Sequence, residues 1–154
     1  MEMSSKYAAR FTSASHAEGL SGRIFTGSYM KDPLAYLSRQ DGEGVASFTA
    51  ERLNYNAASG RIADFLGNDA DFDRPALAKR GEMFGMRLDG QIYLEAGTHR
   101  FRNLTDDGFR LTIGKDVVAQ YGDGANYGQA RTDGSITIKK AGWYDIGIDY
   151  FQGV

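Results

Sequence analysis

The chain has no cysteine among its 154 residues. Disulfides, zinc–thiolate sites, iron–sulfur clusters and thiol nucleophiles are excluded together, while the redox compartment stays open. Histidine is nearly absent, with only His16 and His99. Neither has a partner at metal-ligand spacing, and no Gly-x-Ser-x-Gly nucleophile elbow occurs, so nothing supports nucleophilic catalysis. His99 alternates with Phe101 and reads as a packed strand residue. Charge of one sign is also lacking: 18 Lys and Arg against 20 Asp and Glu leave a net charge of -2. That balance gives no electrostatic footprint for nucleic acid. No apolar run approaches the ~18 residues of a membrane-spanning helix, so membrane insertion is not expected. The opening Met1-Glu-Met-Ser-Ser-Lys-Tyr7 lacks the basic stretch followed by an apolar one that a signal peptide requires. An exported protein would need its signal elsewhere. Proline, at 2 residues, is scarce too.

Glycine is abundant, at 20 residues, nearly twice its usual share of ~7%. With 42% apolar and 25% charged residues, the chain can bury a core, and its length suits one domain. Many glycines and few prolines suggest short strands joined by tight turns. Residues 1 to 18 show no sustained period and read as an arm or edge element, with a single domain over 19 to 154. Strand-like stretches occupy Leu20 to Thr26 and Val45 to Tyr55. Asp32-Pro-Leu-Ala-Tyr-Leu-Ser-Arg39 has an acidic N-cap candidate and proline at the first helical position, and Asp73 to Lys79 can form another helical turn. Residues 56 to 81 otherwise read as irregular.

The second half alternates more cleanly. Met83 to Leu88, Gln91 to Glu95, Thr98 to Leu104, Gly108 to Ile113, Val117 to Tyr121, Ser135 to Ile138 and Trp143 to Phe151 read as strands with one wet face. Ile113-Gly-Lys-Asp116 suits a hairpin turn with Gly114 at positive φ. The expected fold class is all-β: an antiparallel sandwich or jelly-roll-like barrel with one or two short helical turns.

Three loops carry candidate chemistry. Gly122-Asp-Gly-Ala-Asn-Tyr-Gly128 has the wrong spacing for a phosphate loop and reads as a surface loop. Asp69-Ala-Asp-Phe-Asp73 begins like a calcium loop, but Arg74 and Arg80 stand where glycine and glutamate are required. Asp106-Asp-Gly108 lies between two alternating strands. Two carboxylates made to converge there would repel unless a cation sat between them, although an isolated Asp-Asp-Gly is commonly a plain turn. Adjacent acids do not readily flank a scissile bond at the ~5–9 Å used by glycosidases, so hydrolysis by this chain is not expected.

Four stretches together resemble the PA-fourteen domain, the family named after anthrax protective antigen. They are Gly19-Leu-Ser-Gly-Arg-Ile-Phe25, Gly90-Gln-Ile-Tyr-Leu-Glu-Ala-Gly-Thr-His-Arg-Phe101, Asp106-Asp-Gly-Phe-Arg-Leu111, and Ala141-Gly-Trp-Tyr144 with Asp149-Tyr-Phe-Gln152. The resemblance covers about residues 19 to 154. Asp64-Phe-Leu-Gly-Asn-Asp69 and Asp106-Asp-Gly-Phe-Arg110 are similar to members found in bacterial repeats-in-toxin adhesins, which are calcium-dependent lectins.

The resemblance implies that Asp106 and Asp107 are joined by a cis peptide and ligate calcium. It further implies Gln152 as an amide ligand and Gly153 or Val154 as a carbonyl donor. Coordination positions left open would take neighbouring sugar hydroxyls. Tyr127, Tyr121 and Phe151 are candidates for stacking on the sugar.

The function expected from this is a non-enzymatic lectin module of an extracellular, cell-surface adhesin, carried within a larger chain and acting in cell adhesion or biofilm. Its partners would be glycans or simple sugars. A structural or protein-contact module of an adhesin is the alternative, or an accessory sugar-binding domain of a glycosidase. Family members continue beyond the position of Val154 into a closing strand. Its loss would leave a sheet edge open to dimerisation.

Overall fold

The computed structural model describes residues 2–5, 10–12, 19–26, 46–51, 53–55, 61–71, 73–79, 81, 84–122 and 128–153. They form two antiparallel sheets without a closed barrel, so the sandwich and not the barrel is the architecture. The strands are β1 (Glu2–Ser5), β2 (Arg10–Thr12), β3 (Leu20–Thr26), β4 (Ala46–Ala50) and β5 (Phe84–Leu94). They continue as β6 (Gly97–Thr105), β7 (Gly108–Ile113), β8 (Asp116–Tyr121), β9 (Ala130–Ile138) and β10 (Gly142–Gln152). One short helix, α1 (Ile62–Leu66), and 3-10 turns at Gly67–Ala70 and Pro75–Lys79 lie between β4 and β5.

The larger sheet has the order β4-β3-β5-β10-β7-β8, with β2 also pairing to β5; the smaller is β1-β6-β9. The segment 1 to 18 thus supplies one strand to each sheet. β10 is the axis of the larger sheet, pairing with β5 from Gly142↔Leu94 to Gln152↔Phe84 and with β7 from Ile146↔Ile113 to Phe151↔Gly108. β5 runs unbroken through Gly90, where the sequence suggests two strands, because Gly90 keeps its register opposite Ile146.

Strand alternation fixes the core. Leu20 and Ile24 of β3, Phe84, Met86, Leu88, Ile92 and Leu94 of β5, Phe109, Leu111 and Ile113 of β7, and Ile146, Ile148 and Tyr150 of β10 all point to one side. Phe101 and Ile138 of the smaller sheet meet them. Each fully buried large apolar side chain contributes about 1.5–3 kcal/mol. α1 closes one end of this core through Ile62, Phe65 and Leu66, spaced at i, i+3 and i+4. Gly67, at φ +59°, ends it.

The β7–β8 turn has Gly114 at φ +60°, as expected from the sequence. His99 is fully buried, with Nε2 2.7 Å from the Glu95 carbonyl. The helical segment expected at 32 to 39 and His16 lie outside the described residues.

Candidate functional site

The smaller sheet hands the chain to the larger one where β6 ends at Thr105 and β7 begins at Gly108. The intervening Asp106–Asp107 peptide is cis. Antiparallel pairing of Phe151 with Gly108 brings the end of β10 to this turn, so Gln152 and Gly153 arrive beside the two aspartates. The Asp107 N–H donates to the Phe151 carbonyl at 3.3 Å. The Gly153 N–H donates to Asp107 Oδ2 at 2.5 Å. The Tyr150 hydroxyl touches the Asp106 carbonyl and lies 2.7 Å from Gln152 Oε1. Two short segments, 106–107 and 150–153, are thereby gathered at one end of the sandwich from some 45 positions apart in sequence.

Asp107 is buried, yet it has no cationic partner among the described residues. Burial pushes its carboxyl above the ordinary aspartate range; the Gly153 and Gly128 N–H groups oppose this, and the neighbouring Asp106 carboxylate adds to it. Two adjacent carboxylates with backbone N–H donors and no ammonium or guanidinium paired to them among the described residues are hard oxygens short of positive charge. Among the described residues no group of three or more His, Asp or Glu side chains is placed so that it could hold a metal ion.

Phe151 has a structural place. It is 1% exposed, and its ring covers Gly108 so closely that a Cβ at position 108 would lie 1.6 Å from Phe151 Cε1. Gly122, at φ +88°, borders the same ring. Its ring is thus packed over glycines and not presented to a sugar. Tyr121 is half-buried at the end of β8. Tyr127 and Val154 lie outside the described residues.

Three contributors escaped the sequence reading. Gly128 donates to Asp107 from a loop that reads only as a surface connection. Tyr150 follows the core alternation of β10, so nothing in the sequence marks its hydroxyl. Phe65 of α1 stacks on the Tyr150 ring, with centroids 5.3 Å apart and planes 13° from parallel.

The other acidic loop does not gather its acids. Asp69 Oδ2 accepts from the Tyr55 hydroxyl at 2.7 Å and from the Glu51 N–H at 3.1 Å, and Asp73 Oδ1 accepts from the Ser47 N–H at 2.7 Å. These aspartates fasten the 61–79 segment to β4 and to the chain that follows it. Desolvation and the Asp69 carboxylate hold the Tyr55 phenol far above its usual range.

Neither a family model nor a curated protein sequence matches the chain. Solved structures do. The PA14 domain of the antifreeze protein MpAFP superposes with a TM-score of 0.72 at 27% identity, over 88% of this chain and 76% of that one. In fold, the chain is a PA14-like domain. A structure named as the PA14 sugar-binding domain from an RTX adhesin matches with a TM-score of 0.70 at 23% identity, covering 88% of this chain and 83% of its own. Neither of these PA14 structures is named as an enzyme.

Proposed function

We propose that this PA14-like domain is a calcium-dependent carbohydrate-binding module, with Asp106, Asp107 and Gln152 as side-chain ligands and Gly153 or Val154 as a carbonyl donor. The observation that carries the reading is the deficit of positive charge at the acidic turn. The fold holds a buried carboxylate against a second one, supplies N–H donors, and offers neither acid an ion pair among the described residues. A divalent cation would remove that repulsion, and calcium accepts such a set of oxygens at roughly 2.3–2.6 Å with six to eight ligands. The protein oxygens fill only part of that number, which leaves room for two neighbouring sugar hydroxyls. The likeness to a domain named for sugar binding in an RTX adhesin supports the glycan as partner.

In this reading the domain works in a bacterial surface adhesin, outside the cell, as one part of a longer chain that attaches to glycans on another cell or a biofilm. Binding is its whole task; no chemistry on the sugar is required. Tyr127 stands as a candidate for contact with the sugar. Edge-to-edge dimers through the outer strands of the sheets remain part of the proposal.

The test is calorimetric titration of calcium into metal-stripped protein, followed by glucose and fucose with calcium and with chelator. Sugar heat that appears only with calcium supports the lectin reading. Absence of calcium binding overturns it in favour of a structural contact module.

A further inference from the structure

Trp143 is the chain's one tryptophan, and it stands 47% exposed on the outer face of the larger sheet, near the start of β10. Gln152 closes the other end of that strand, on the order of 30 Å away, so the indole is remote from the acidic turn. Its cross-strand partner is Tyr93 of β5. The two rings meet edge to face, with centroids 5.5 Å apart and planes at 72°, which braces the indole while nearly half of it stays in water. On the other side the β7 register ends with Ile113 opposite Ile146, so no β7 residue stands across from Trp143.

One rung along the same face, about 7 Å away by strand rise, Gln91 and Asp145 stand opposite each other. Gln91 Nε2 donates to Asp145 Oδ1 at 3.1 Å, which uses one N–H and one oxygen of the pair. Gln91 Oε1 and Asp145 Oδ2 make no further hydrogen bond among the described residues, and neither does the indole N–H. An apolar ring beside an amide and a carboxylate is the pattern a sugar ring matches: one face of C–H groups, bordered by hydroxyls that both donate and accept.

The size of the patch decides against a protein partner. Leu104 and Val117, the other exposed large apolar side chains among the described residues, lie on β6 and β8 and not beside Trp143. A stable protein interface buries about 800 Å² on each side around an apolar centre. A single indole, with exposed Lys140 and Asp145 close to it in the chain, offers a surface one ring wide.

We propose that the Trp143–Tyr93 and Gln91–Asp145 rungs form a second saccharide subsite that needs no calcium: one neutral pyranose ring lies on the indole, with its hydroxyls on Gln91 and Asp145. The Asp145 carboxylate repels acidic sugars from that rung. The inference goes beyond the calcium reading, since it uses neither the metal nor the acidic turn.

Because Trp143 is the sole tryptophan, its emission reports this site alone. Cellohexaose, maltohexaose and chitohexaose are titrated at millimolar concentration into metal-stripped protein with chelator present. A saturable change in emission with at least one of them is expected, together with protection of the indole from acrylamide quenching. Saturation-transfer NMR with the same oligosaccharide, still with chelator, then compares variants. Trp143→Ala should weaken binding about tenfold and Gln91→Ala about threefold, while Trp143→Phe, which keeps an aromatic ring, retains most of it and Asp106→Asn all of it. Emission unmoved by all three sugars overturns the proposal, as does binding that survives Trp143→Ala unchanged. An emission change that requires calcium would belong to the acidic turn, and one that grows with protein concentration in the absence of sugar would assign the indole to contact between copies of the chain; either result overturns it. None of these outcomes depends on whether Asp106 and Asp107 bind calcium.

Discussion

Two acidic pairs stand on β10 and its neighbours, and the protein treats them in opposite ways. Asp89 and Asp149 lie on the outer face of the larger sheet and share one guanidinium. Arg87 NH2 is 2.8 Å from Asp89 and NH1 is 2.7 Å from Asp149, and Arg23 adds a further contact to Asp89 at 3.4 Å. Burial pushes the Arg87 guanidinium down, but the two carboxylates outweigh it and hold it above its ordinary value. Cross-strand register makes this automatic, since Arg87 is directly opposite Asp149. Asp106 and Asp107 receive N–H donors and a neighbouring hydroxyl but no guanidinium or ammonium among the described residues. The same fold can therefore pair the buried acid Asp149 with an internal cation, and at the acidic turn it does not do so among the described residues. On the proposed reading, that difference separates an acidic pair that serves the scaffold from one that takes an external cation.

Asp106→Asn should break the comparison most severely. Calcium binding is expected to disappear in calorimetry, while Asp149→Asn leaves calcium affinity within about threefold. In thermal unfolding, calcium at a hundred times its dissociation constant should stabilise the wild type by about 2.7 kcal/mol and Asp106→Asn not at all.

Arg87→Met is the converse test. It leaves Asp149 buried without its direct partner and should cost about 3 kcal/mol in denaturant unfolding, the low end for a broken buried pair because Arg87 is partly exposed. Calcium affinity should survive in whatever fraction remains folded. A Gly108→Ala substitution forces a methyl into the Phe151 ring and should cost roughly 2 kcal/mol, with calcium weakened as the β10 end is displaced.

Tyr55→Phe sharpens the contrast at its smallest scale. Asp69 retains the Glu51 N–H, so the loss should be about 1 kcal/mol by denaturant unfolding, with calcium affinity untouched.

The half of the chain after β5 begins was legible because its strands alternate strictly and glycines mark most turns. The burial of every second residue of β6, from His99 to Thr105, repeats that pattern. α1 was not legible. It is five residues long, its N-cap Arg61 makes no side-chain cap, and its neighbours include glycine, asparagine and aspartate. Its helicity is a product of Phe65 and Leu66 reaching the core, which is a tertiary effect.

At the site, the paired aspartates stood out by their adjacency, while their link to Gln152, so far along the chain, came from the resemblance. Tyr150 and Gly128 could not be read. A core tyrosine in an alternating strand and a glycine in a loop carry no mark of what they touch.

The acidic turn has a mechanical side as well. It is the crossover from the smaller sheet into the larger, and Asp107 is held both by Gly153 beyond β10 and by Gly128 ahead of β9. One carboxylate therefore stitches the seam between the two layers. Tightening that stitch should damp the opening of one layer from the other, so amide exchange in β6 and β9 would slow together when the turn is occupied, far from any atom that a sugar touches.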